Sequence, residues 1–483
     1  MRLGIIFRTV QMVTFVIFFG AIISANAESI DTNKEADLSC PDCNVIFLNI
    51  DLLRADFVGL TEPMAKNTPN IDKFFKYSII FQDVSASSGV TAISNTATLM
   101  GRDGFFTYTL LKNTYVDKPP QMPYKYKKLY SGLPTIAEIL KGIGYETLNV
   151  NHGYYAGKQM LLNRGFDKYW GTGEVDSTEN IPAKAINKTT EYIEARSQGN
   201  EKFFLLMRSE DLRGLPYRYP DNRVHIKDPR IKYKRIGKGY FDVVFQLRPD
   251  GKLTVVFPSF ARADWMSVAQ IKEYQKLSKA LYAQQLKFVD EELGKLFTTL
   301  ENSKLLNKTI VVLYANHGDG LYDNRIPNHG VSYQSCVSVP VLIRHPKVNK
   351  PVIISEPVAL IDIVPTIYKM LSVSAPEGVD GLDLTKVING QKYPREFFFG
   401  VDRESQYVRH GNMKLIVWAD RTKELYDLDN DPKELTNIAE KHPALVSALE
   451  VRLAEHEMNG FDKAMHVILK DKRERLGKNQ YEK

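Results

Sequence analysis

The chain has 483 residues, 43% hydrophobic and 25% charged, a globular composition that excludes a disordered polymer, a collagen or a coiled-coil rod. Lys and Arg outnumber Asp and Glu by 64 to 57, spread along the chain, so no nucleic acid partner is expected. Three cysteines are too few for a disulfide scaffold, and the length suits two or three domains or one large α/β domain with an appendage.

Residues 1–27 read as a secretory signal peptide. Arg2 and Arg8 precede an apolar stretch from Val10 to Ile23, and Ala25-Asn26-Ala27 offers small residues for cleavage after Ala27. The apolar run is short for a bilayer span. The mature chain is therefore expected to be periplasmic or secreted, with no membrane span after cleavage. In that setting Cys40 and Cys43 close a small disulfide, or either thiol pairs with Cys336. A redox role is disfavoured, because no thioredoxin-like helix follows the pair.

Downstream, the pattern alternates. Asn44 to Ile50 is a continuous apolar run with β-branched members, the signature of a strand buried on both faces, and an amphipathic stretch follows at Leu133–Leu140. Another buried run spans Phe203–Met207. Between Arg213 and Lys238 nine Lys or Arg face two Asp, interleaved with Tyr217, Tyr219 and Tyr233. Such a segment suits a polyanionic or glycan ligand, or else is a solvated basic loop. Pro249-Asp250-Gly251 between Val243–Leu247 and Leu253–Phe257 reads as a hairpin. Tyr274–Leu300 is amphipathic, and strands are expected at Thr309–Tyr314 and Val339–Ile343. Crossovers of this kind predict an α/β fold with a large mixed, mostly parallel sheet flanked by helices. From about residue 395, short antiparallel strands at Tyr407–Arg409, Lys414–Trp418 and Glu424–Leu428 precede a helix at Pro443–Glu457. The expected division is a catalytic domain at 28–390, a small C-terminal α+β subdomain at 391–462 and a charged helical tail with a solvated face at 463–483.

In open α/β sheets chemistry gathers at the carboxyl ends of strands. Strand 45–50 ends in Asp51, a carboxylate that needs a metal or a cation such as Arg54 beside it. Strand 309–314 ends in Ala315-Asn316-His317-Gly318-Asp319-Gly320, where an amide and an imidazole next to glycines suit a metal or an oxyanion.

Asn44-Val-Ile-Phe-Leu-Asn-Ile-Asp51-Leu-Leu-Arg54-Ala-Asp56 resembles the opening strand of the sulfatase family, within the alkaline phosphatase superfamily. Further resemblances follow in order. They are Thr68-Pro-Asn-Ile-Asp72, Leu133-Pro-Thr-Ile-Ala137, Gly165-Phe-Asp167, Val289-Asp290, Asn316-His317-Gly318, Asp362-Ile-Val-Pro365 and Glu424-Leu-Tyr-Asp-Leu428. Together they cover nearly all of residues 44–460 and imply an alkaline phosphatase-like fold. The family carries Cys-x-Pro-Ser-Arg, or Ser for Cys, ten residues before the glycine of Leu-Thr-Gly. Here Leu99-Met100-Gly101 supplies that glycine and Thr91 stands at the nucleophile position, with Ile93 and Asn95 where the family has Pro and Arg. Threonine cannot become formylglycine, but its hydroxyl can attack once activated.

The resemblance carries over Asp51, Thr91, Asn316 and His317 as ligands of one divalent metal. Calcium sites of the family use several carboxylates and this set keeps one, so zinc or manganese fits better than calcium. His152 falls near the family's Gly-Lys-Trp-His lysine, where it meets a substrate oxygen or protonates a leaving alkoxide. Gly214 replaces the histidine of a His-x-Pro-Tyr stretch, leaving Arg213 to supply charge, and His329 falls where a leaving-group Lys or His is often found. The expectation is an exported hydrolase of sulfate or phosphate esters, glycan-linked esters included, with in-line attack by metal-activated Thr91. The alternative is a catalytically silent relative that binds anionic glycans or partners.

Overall fold

The computed structural model describes residues 37–113, 134–152, 163–171, 183–197, 199, 201–212, 231–233, 244–247, 253–256 and 266–481. Its main sheet has eight strands. In chain order they are β1 (Asn44–Ile50), β2 (Ile79–Phe81), β3 (Glu146–Asn151), β4 (Lys168–Gly171), β5 (Phe203–Ser209), β6 (Thr309–Tyr314), β7 (Val341–Arg344) and β8 (Val352–Ile354). Across the sheet they run β8-β2-β7-β6-β1-β5-β3-β4. Only β7 pairs antiparallel with its neighbours, β6 and β2; the other contacts are parallel. This is the expected mixed, mostly parallel sheet. β1 lies at its centre with all seven residues buried, and Phe47 packs edge-on against Phe204 and Tyr314 of the flanking strands.

Helices cover both faces. Among them are α1 (Thr91–Met100), α2 (Gly104–Asn113), α3 (Val268–Asn302) and α4 (Pro443–Tyr481). A second sheet of β9 (Phe397–Val401), β10 (Ser405–His410), β11 (Met413–Trp418) and β12 (Lys423–Asp427) is antiparallel throughout. The expected hairpin is present as Val244–Leu247 paired with Leu253–Val256, joined by a third strand at Ile231–Tyr233.

Three expectations need correction. The strand expected to end at Met207 continues through Arg208 and Ser209, because a fully enclosed sheet centre accommodates a charge when counter-charges meet it there. Residues 463–481 are the expected helix but form no separate element, since they continue α4. Ala464 and Ile468, one turn apart, are buried where the helix packs along α2. Arg54 is not the partner of Asp51: beyond Leu52, held at φ 68°, it turns to Asp56 and Asp323 at 2.7 Å each. Of the three cysteines, Cys40 and Cys43 form the disulfide, with Cα atoms 5.4 Å apart, and Cys336 is a buried thiol. Among the described residues no helix is long and apolar enough to cross a membrane.

Candidate active site

The carboxyl ends of β1, β5 and β6 converge on the first turn of α1. Thr91 is the first residue of that helix, 4% exposed, and the first intrahelical bond runs from Ser94 N to Val90 O. The amides of the first turn thus lie at the positive end of a ten-residue helix, beside the threonine hydroxyl. Asp402, at the end of β9, sets the approach to this turn. Its buried carboxylate accepts hydrogen bonds from Ser88 Oγ (2.8 Å), Gly89 N (2.6 Å) and Ser332 Oγ (2.9 Å). Burial pushes this carboxyl above its usual range, partly offset by those donors.

Thr91 Oγ1 lies 2.8 Å from His317 Nε2. On the other side of the ring, His317 Nδ1 is 2.8 Å from the Gly318 carbonyl oxygen. A carbonyl only accepts, so Nδ1 carries a proton, and the neutral form of His317 presents its Nε2 lone pair to the threonine hydroxyl. Asp51 Oδ1 is 3.6 Å from the same Nε2, placed to steady an imidazolium once the proton arrives. Gly318 permits this geometry: a Cβ there would collide with the carbonyl oxygen of Ser335. His329 stacks on His317 with ring centroids 4.7 Å apart, and its Nδ1 is 3.6 Å from Asp319 Oδ1. Arg54 Nη1 donates to the Asp319 carbonyl at 3.0 Å, and burial is outweighed at Asp323 by Arg54 and Lys279, which hold that carboxyl below its usual range.

The structure therefore brings Asp51, Thr91, His317 and His329 into one cluster. Asn316 follows β6 into it; its carbonyl accepts from Ser94 Oγ at 2.5 Å, and its buried side-chain amide has no hydrogen-bond partner among the described residues. His152 sits after β3 with Nδ1 3.8 Å from Asp211 Oδ1, and its carbonyl accepts from Arg208 Nη1 at 3.2 Å. Arg213 lies outside the described residues, as does most of the basic segment after it.

Two groups were not anticipated. Arg208, 2% exposed, places Nη2 3.0 Å from Asp51 Oδ2 and Nη1 2.8 Å from Glu210 Oε1. Its signal in the sequence is a basic residue directly continuing the apolar run Phe203–Met207. Asn49, on β1, donates to Asn95 Oδ1 at 2.6 Å and ties the sheet to the second turn of α1.

The donor set does not fit the divalent metal that the resemblance implies. Asp51 is the only carboxylate among the four expected ligands, and a buried guanidinium already meets it. Among the described residues no group of three or more His, Cys, Asp or Glu is placed to hold a metal ion.

Comparison with known proteins agrees with the fold. The sulfatase family model matches residues 43–373, and the model for the C-terminal part of N-sulphoglucosamine sulphohydrolase matches 318–459. The chain is 23% identical to a choline-sulfatase of Rhizobium meliloti over 381 residues, 69% of this chain and 74% of that protein. A 2-O GAG sulfatase superposes with a TM-score of 0.63 at 18% identity, covering 88% of this chain and 94% of the other. The phosphonate monoester hydrolase of Agrobacterium radiobacter gives 0.63 at 17% identity, covering 87% and 96%. With a family model spanning most of its length and an alkaline phosphatase-like sheet beneath the matching motifs, the chain belongs to the sulfatase family.

Proposed function

We propose that the protein is an exported hydrolase of sulfate esters in which Thr91 is the nucleophile and His317 its general base. The observation that carries this reading is the 2.8 Å contact between Thr91 Oγ1 and an Nε2 whose lone pair is fixed by the Nδ1 bond to Gly318. A hydroxyl paired with an oriented imidazole is the arrangement that activates a weak oxygen nucleophile.

In the first step Thr91 Oγ attacks sulfur and passes its proton to His317 Nε2. The bond from sulfur to the ester oxygen breaks, and the departing alkoxide takes a proton from His329, stacked against the base. The product is a threonyl sulfate ester. In the second step water gives a proton to His329 and attacks sulfur, the Thr91–sulfur bond breaks, and Thr91 recovers its proton from His317. Asp51 stabilises the transient imidazolium. The first-turn amides of α1 and the Arg208 guanidinium favour the negative charge of the transferring group.

A second reading, phosphate or phosphonate ester cleavage, is favoured by Thr91 itself. Without an aldehyde, release depends on water opening a threonyl ester, which is easier at phosphorus than at sulfur. The sulfatase relatives favour sulfate, and the 2-O GAG sulfatase likeness with the basic segment from Arg213 supports a glycan-linked ester. The Cys40–Cys43 disulfide supports the export expected from residues 1–27.

An activity panel with an aryl sulfate, an aryl phosphate, an aryl phosphodiester and a phenyl phosphonate ester tests these readings. Sulfate turnover exceeding the others is the expected result. Preferential phosphorus-ester turnover selects the second reading, and turnover of none leaves a binding protein for anionic glycans.

A further inference from the structure

Arg208 has no counterpart in the ligand set expected from the sequence, yet it occupies the centre of the site. It stands on β5 directly opposite Asn49 of β1 and Asn151 of β3, and Asn49 stands opposite Tyr314 of β6. Residues in register across a sheet project from the same face. Asn151, Arg208, Asn49 and Tyr314 therefore form one polar row near the carboxyl ends of four adjacent strands. The guanidinium is held between two buried carboxylates, Asp51 at 3.0 Å and Glu210 at 2.8 Å.

Its hydrogen bonding is nonetheless incomplete. Among the described residues Arg208 Nε and Nη2 make no directed hydrogen bond, the latter meeting Asp51 as an ion pair only; Asn95 Nδ2 and Asn316 Nδ2 are further donors without partners, against two such amide oxygens, Asn49 Oδ1 and Asn316 Oδ1. Buried donors without acceptors are destabilising, and a site where they outnumber the unpartnered amide oxygens and include a guanidinium is built to receive acceptor oxygens. A tetrahedral oxyanion supplies these. A divalent cation does not: it would compete with Arg208 for Asp51 and lie within a few ångströms of a fixed positive charge in a poorly screened interior.

We infer that the Arg208 guanidinium takes the place of the family's metal ion, so that the site binds the tetrahedral oxyanion of its ester without a divalent cation. The inference rests on reading the Thr91 cluster as an ester site. It assigns Arg208 as a binding residue that also neutralises Asp51 and Glu210, both of which are fully enclosed.

The test uses the full-length chain, dialysed against a chelator. Metal content is measured by mass spectrometry of the elements, and binding of inorganic sulfate and inorganic phosphate by calorimetry. The expected result is far less than one equivalent of divalent metal and anion binding that survives the chelator. Arg208→Gln should weaken that binding by about 10-fold or more, the loss of a charge-assisted bond, and Arg208→Lys should recover part of it. A stoichiometric divalent ion, binding that returns only when calcium, manganese or zinc is added, no anion binding at all, or unchanged binding in folded Arg208→Gln would each overturn the inference. If Arg208→Gln does not fold, metal content and chelator resistance of the unmodified protein decide. Chelator-resistant, Arg208-dependent binding without ester turnover would sustain this inference while removing the proposed hydrolysis.

Discussion

Thr91→Ala is expected to abolish ester turnover, lowering kcat by about 10³-fold or more while the protein remains folded. The two halves of that result have separate causes. Turnover falls because His317 Nε2 then faces a methyl group and no oxygen is positioned for in-line attack. Stability changes little, because the truncation removes one hydroxyl and its 2.8 Å contact, about 1 kcal/mol, from a helix start whose backbone is held by Asp402. Thr91→Ser keeps the oxygen and should stay within about tenfold of the parent. Steady-state kinetics with the best ester of the panel, beside a thermal unfolding midpoint for each variant, checks both halves. A Thr91→Ala protein that turns over normally would move the nucleophile elsewhere.

The largest stability effect is expected away from the site, at Lys414→Met. Lys414 on β11 is fully buried, with Nζ 2.8 Å from Glu434 Oε1 and 2.9 Å from Gln334 Oε1. Burial lowers the lysine's pKa and raises the carboxyl's, each opposed by the other's charge. Removing the ammonium leaves Glu434 buried and uncompensated, a loss of about 3–5 kcal/mol. The sign of its pH dependence follows from the same burial. In the variant the folded-state pKa of Glu434 lies above its unfolded value, so the folded form prefers the proton. The deficit is therefore greatest well above that pKa and shrinks as pH falls through it. Unfolding midpoints across pH for the parent, for Lys414→Met and for Lys414→Met with Glu434→Gln check this. The double variant should recover much of the loss at neutral pH.

The strands of the sheet were legible because buried parallel strands read as unbroken apolar runs, and β1 and β6 needed no more than that. Asp51, Asn316 and His317 were legible for the same reason, since each follows directly where such a run stops. Thr91 is singled out by its ten-residue spacing from Gly101, and a helix spans Thr91–Met100. Arg208 was missed because the apolar criterion ended β5 at Met207, one residue before its most informative side chain. The choice of Arg54 over Arg208 as a partner for Asp51 is a tertiary matter: parallel pairing sets Arg208 beside the end of β1, whereas no local pattern joins residues so far apart in sequence. Asp402 was illegible for the same reason, acting on Ser88 and Gly89 from a strand of the other sheet. Within α4, the charged residues after Lys463 masked Ala464 and Ile468, which face inward one turn apart.

The central claim is a covalent intermediate on Thr91. The most direct measurement is intact and peptide mass spectrometry of the protein, quenched in acid during turnover of the preferred aryl ester. The expected result is a mass increase of one transferred sulfuryl or phosphoryl group, mapped to the peptide containing Thr91 and absent from Thr91→Ala. Turnover without any adduct at Thr91, or with the group on another residue, would contradict it.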